Sequence, residues 1–178
     1  MKQLKWLALL LTLLTASLAQ AEFSVAVGFH NIYELEPNGV QYSRITVPGV
    51  EASYLLLPEL KLSGEFRQMS ESDGNSTFQV RQERYEFMGW AQYMGRRRPT
   101  WQSSIGLGAG WIYQKVKTRL YSESRNDVAA DYFKLGARVG YLFWFTDQIF
   151  LEGTGQFHWW NSNPGRSWLL GVLVGFRF

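Results

Sequence analysis

The chain has 178 residues, no cysteine, a formal net charge of +3 and 16% aromatic residues. That length suits one domain of ordinary size, and the lack of cysteine excludes a disulfide framework and a cysteine-ligated zinc cluster. A mean hydropathy of −0.19 is too polar for a bundle of membrane helices, and the modest charge argues against nucleic acid as a partner.

Residues 1–21 read as a secretory signal peptide. Lys2 and Lys5 supply a positive start, an apolar run follows from Trp6 to Leu14, and Ala19, Gln20 and Ala21 make an A-x-A cleavage site. The run is too short for a membrane-spanning helix of about 20 residues. The expected organisation is therefore signal peptide 1–21 and a single domain at 22–178. Removal of the two lysines lowers the net charge to +1, because every acid lies after residue 21.

Eight alternating strands follow in chain order. The first sets Phe23, Val25, Val27 and Phe29 on one face, against Ser24, Ala26, Gly28 and His30. The second, after Pro48, carries Val50, Ala52, Tyr54 and Leu56. In the third, Leu60, Leu62, Gly64 and Phe66 oppose Lys61, Ser63, Glu65 and Arg67. The fourth sets Tyr85, Phe87, Gly89, Ala91 and Tyr93 against Arg84, Glu86, Met88, Trp90 and Gln92. The fifth runs from Trp101 to Tyr113 with Gly106, Gly108 and Gly110 on its second face. In the sixth, Phe133 to Phe143 oppose Lys134, Gly136, Arg138 and Gly140. The seventh sets Ile149, Leu151, Phe157 and Trp159 against Glu152, Thr154, Gln156 and His158. The last sets Leu170, Val172, Val174, Phe176 and Phe178 against Leu169, Gly171, Leu173, Gly175 and Arg177. Period two places each set on one side of a strand.

Polar segments at 34–47, 70–76, 114–129 and 160–166 follow the odd strands, and short turns at 58–59, 95–99 and 146–147 follow the even ones. Long loops at one end and short turns at the other are the outer-membrane barrel pattern, which predicts both termini in the periplasm.

Alternation alone leaves two orientations. A secreted lipocalin-like barrel would turn the apolar face inward. Two features favour the apolar face outward, toward lipid. The other face is rich in glycine, which suits an eight-stranded interior with little room. Bulky aromatics such as Tyr54, Trp101, Trp111, Tyr113, Tyr141, Trp159 and Trp168 collect near strand ends, as in interfacial girdles.

On these residues the chain resembles the small eight-stranded outer-membrane β-barrels of the OmpA/OmpX type, barrel domain only, over 22–178. The resemblance implies an all-β, antiparallel up-and-down transmembrane barrel in the bacterial outer membrane. It also implies that the terminal strand, with Phe176 and Phe178, is the signal read by the barrel-assembly machinery. It says little about activity, since such barrels include anchors, adhesins and a few lipid enzymes.

Glu65, Arg84, Glu86, Lys134, Arg138 and Glu152 share inward parity and are expected to form a charged network plugging the lumen, with Glu65 opposite Arg84 if the turn centres on Gly74 and Asn75. An ion path through the same groups is the alternative. Outward parity continues from Trp111 and Tyr113 through Lys115, Lys117 and Arg119, a basic row suited to lipopolysaccharide phosphates. Arg96, Arg97 and Arg98 crowd one short turn, where they either meet anionic headgroups or are simply solvated.

The segment from His158 to Asn163 resembles the His-x-Ser-Asn element of outer-membrane lipid A 3-O-deacylases. However, His158 and Ser162 stand four apart across a strand end, which breaks the pattern, and His30 and His158, inward by parity, read as satisfied histidines near the extracellular rim. The expectation is a non-enzymatic barrel without metal or cofactor. It would serve envelope structure, with lipid, lipopolysaccharide and surface ligands met through its loops; a lipid A-modifying enzyme and an adhesin are the alternatives.

Overall fold

The computed structural model describes residues 22–35, 42–74, 78–120, 123–160 and 166–178. Residues 1–21, which the sequence reads as a signal peptide, lie outside them, as do Ser162 and Asn163. Eight strands are present: β1 (Glu22–Leu35), β2 (Tyr42–Leu57), β3 (Leu60–Gly74), β4 (Phe78–Met94), β5 (Trp101–Leu120), β6 (Glu123–Trp144), β7 (Ile149–Trp160) and β8 (Arg166–Arg177). Each pairs antiparallel with the next, and β8 returns to β1, closing an up-and-down barrel. At the seam Val25 lies opposite Phe176 and Gly28 opposite Leu173. The Phe178 amide donates to the Phe23 carbonyl at 2.9 Å.

Alternation decides which residues face where. In β8 the even positions from Leu170 to Phe176 are exposed and the odd ones from Ser167 to Gly175 are buried. Across the barrel the outward set is apolar, and Leu107, Phe29 and Ile105 are 68%, 63% and 61% exposed. Inward positions carry the charges. This is the reverse of a lipocalin-like barrel.

Two expectations need correction. Three of the four segments read as long polar loops are largely strand, while 161–165 lie outside the described residues: β2 begins at Tyr42, β3 runs to Gly74, β5 to Leu120, and β6 begins at Glu123. A ladder is held by backbone hydrogen bonds, so it continues where side-chain hydrophobicity has stopped alternating. The β2–β3 register starts at Gly49–Arg67, so β2 residues before Gly49 pair with β1 alone. Pro48 sits on that one-sided stretch, where a missing N–H removes no bond on the open side.

The β3–β4 register also differs. Glu65 lies opposite Met88, while Arg84 lies opposite Met69 and Glu86 opposite Arg67. The hairpin centres farther along the chain than Gly74–Asn75. Because the offset is even, every side chain keeps its face and only the partners change.

Candidate functional site: the lumen and its rims

Glu65, Arg84, Glu86, Lys134, Arg138 and Glu152 all point into the barrel and are buried. Glu51, Lys61, Arg67, Gln156 and His30 join them there.

Toward the end that carries the termini, Arg138 reaches Glu51 at 2.5 Å and Glu152 at 2.7 Å. Lys61 bridges the same two carboxylates at 2.9 and 3.2 Å. These four side chains tie β2, β3, β6 and β7 across the lumen.

Glu65 forms the middle layer. It accepts hydrogen bonds from Trp90 Nε1 and Gln156 Nε2, both at 3.1 Å. His30 Nε2 lies 3.0 Å away, Arg67 3.6 Å and Arg138 3.7 Å. Toward the far end, Glu86 meets Arg84 at 2.5 Å, Lys134 at 2.8 Å and Arg67 at 3.4 Å. Arg67 touches its carboxylates as a charge rather than through well-aligned hydrogen bonds. Each buried carboxylate thus has cations within 4 Å, which offsets a desolvation cost of several kcal/mol per ion.

Glycines make room for the larger members. A Cβ on Gly136 would come within 2.8 Å of both Trp90 and His158, and one on Gly108 within 2.7 Å of the Trp90 indole. Gly49 and Gly171 leave the corresponding space beside His30. Both histidines face inward, as parity predicts, but they are fully buried and lie deeper than the rim. The His158 ring lies against Trp90 at 5.6 Å, in the space that Gly136 leaves open.

Apolar layers lie on both sides of the charges. Ala26, Met94, Leu142, Trp144, Phe150 and Leu173 pack together toward the termini. Ile32, Val47, Met69 and Leu169 pack toward the opposite end. A cavity of about 200 Å³ opens beside the first cluster, lined by Lys61, Leu142, Trp144 and Arg177 among others.

At the far rim, Phe66, Tyr85 and Tyr113 form an outward ladder with centroids 6.5 and 6.2 Å apart. Lys115 and Lys117 follow Tyr113 on β5. Lys117 and Arg81 both contact Glu83, at 3.5 and 3.1 Å. The Arg119 side chain lies outside the described residues. At the opposite rim Phe178 rests on Phe176 at 5.0 Å and on Phe23 at 5.9 Å.

Glu51 was the charge that parity alone could have found, since Val50 and Ala52 on either side face outward. Its partner Arg138 is 87 positions away and carries no local signal.

A closed eight-stranded up-and-down barrel, apolar outside and charged within, is the architecture of the small outer-membrane barrels. Solved structures share it. Ail of Yersinia pestis, in a complex with the heparin analogue sucrose octasulfate, superposes with a TM-score of 0.66 at 13% identity, covering 89% of this chain and 99% of that one. Neisserial surface protein A gives 0.62 at 17% identity, covering 88% and 97%. A major outer-membrane protein from Thermus thermophilus gives 0.67 at 9% identity, covering 89% and 99%. No family model matches the sequence, and no curated protein matches it.

Proposed function

We propose that this chain is a non-enzymatic integral protein of the bacterial outer membrane, with a lumen plugged by its charged network and both termini in the periplasm. The observation that carries the reading is the inversion of polarity. Large apolar side chains cover the outside, while Glu65, Lys134 and Glu152 are fully buried. In water that exterior would be an aggregation surface; in a bilayer it is the required one. The short turns at the terminal end and the outer-membrane origin of the structural neighbours support the orientation. Phe176 and Phe178 then stand where the assembly machinery reads the last strand.

Its role is envelope structure and contact with the outer leaflet. Lys115 and Lys117 stand directly beyond the Tyr85–Tyr113 ladder, with Arg119 next in the same parity, at the height where lipopolysaccharide phosphates would lie. Replacing these three by glutamine should weaken lipopolysaccharide retention by the purified barrel, and unchanged retention would remove this part of the proposal. The enzyme reading is disfavoured because His158 faces the lumen rather than the lipid that would carry an ester. Mass spectrometry of lipid A from cells with and without the protein should give identical acylation patterns.

An adhesin reading has one supporting observation. The β1–β2, β3–β4 and β5–β6 hairpins extend beyond the closed part of the barrel, offering ladder surface to a ligand. The Ail complex with a heparin analogue makes sulfated glycans the first ligands to test against a deletion within 114–129.

A further inference from the structure

We propose that Arg98, Trp101 and Tyr141 form a binding site for the phosphodiester of an anionic phospholipid headgroup at the terminal end of the barrel. The inference rests on the membrane reading above and adds a lipid partner to it.

The three consecutive arginines of the β4–β5 turn do not behave alike. Arg97 lies across the barrel mouth, pairing with the exposed Asp147 at 3.0 Å and lying 4.6 Å from the Trp144 ring. Arg98 lies over the outward Trp101 ring at 4.6 Å, and Trp101 in turn stacks on Tyr141 at 5.3 Å with 15° between planes. Guanidinium, indole and phenol therefore form one column on the outer wall. Among the described residues Arg98 has no carboxylate partner, and Arg96 is exposed beside it.

The column is held in place. The Arg98 amide donates to the Trp101 carbonyl at 2.9 Å, the Gly95 amide to Ser103 at 2.8 Å, and the Trp144 amide to Thr100 at 2.9 Å. Gln102 Nε2 donates to the Gly95 carbonyl at 2.9 Å. A guanidinium with one face on an indole keeps its N–H edge free, and that edge matches two oxygens of a phosphate. Trp and Tyr favour the headgroup level of a bilayer, which sets the column at the depth of lipid phosphates. Phe143 and Phe145, packed edge to face at 5.3 Å, continue the apolar wall beside it for the acyl chains.

The test is native mass spectrometry of the barrel released from vesicles containing equal phosphatidylcholine and phosphatidylglycerol. Wild type should retain phosphatidylglycerol in preference. Arg98→Gln should lower that enrichment about five-fold, as expected for one basic side chain near an anionic surface, while Arg97→Gln should leave it unchanged. Equal enrichment in wild type and Arg98→Gln would overturn the proposal, and so would displacement of the lipid by excess inorganic phosphate. Heat-modifiable gel mobility and vesicle insertion check each variant's fold. A wild type that folds but fails to insert would contradict the membrane reading itself, and the site would fall with it.

Discussion

Trp90 and Glu65 meet inside the barrel, the indole Nε1 donating to the carboxylate at 3.1 Å. The contact joins β4 to β3 at the level where His30, Gln156, Arg67 and Arg138 also converge. Glu65→Ala would leave Arg67 and Arg138 facing a gap where their carboxylate stood. Removing one partner from a buried charge network costs about 3–5 kcal/mol. Urea unfolding of the reconstituted barrel, followed by tryptophan fluorescence, should show a loss of that order; a loss below about 1 kcal/mol would mean that Glu65 is solvated.

The Arg138–Glu152 pair should behave as a coupled unit. A cycle of Arg138→Met, Glu152→Gln and the double variant is expected to give an interaction energy of about 0.5–3 kcal/mol. Wild-type liposome conductance should stay at background, because apolar clusters flank the charges on both sides. Conductance above background that Arg138→Ala abolishes would instead identify an ion path.

Glycine positions separate interior crowding from open exterior. Gly108→Leu would drive a side chain into Trp90, at a cost of about 1–3 kcal/mol from overpacking. A Cβ added to Gly153 would meet nothing within 4 Å, so Gly153→Ala should be neutral or stabilise the strand by up to about 1 kcal/mol. Equal effects at the two sites, read as shifts in unfolding midpoint, would contradict the assigned faces.

A charge on the outer wall gives the matching test. Leu107 is among the most exposed apolar residues, and Leu107→Arg should cost about 2–4 kcal/mol if it lies near the bilayer midplane. In detergent-free equilibrium unfolding, a neutral result would mean that this face meets water.

Much of this architecture was legible in the sequence because period-two alternation carries both strand identity and face. The parity of Lys134 and Arg138, or of Val172 and Leu173, needed no further information. Partner choice was less legible. Where β3 and β4 pair depends on where the hairpin turns, and an even slip from Gly74–Asn75 left every parity intact while moving Arg84 from Glu65 to Met69. Cross-lumen partners such as Glu51 and Arg138 depend on the stagger of the closed barrel, which no local pattern records. The reach of β5 to Leu120 was hidden for another reason. Beyond Tyr113 its outward residues turn basic, so hydrophobicity stopped reporting a ladder that continued.

The most direct test is collision accessibility of spin labels at Val139 and Val172 in the reconstituted barrel. Labels contacting acyl chains collide with dissolved oxygen and are shielded from a water-soluble nickel chelate, which is the expected result at both sites. Ready access of the nickel chelate at both would place this wall in water and contradict the membrane barrel.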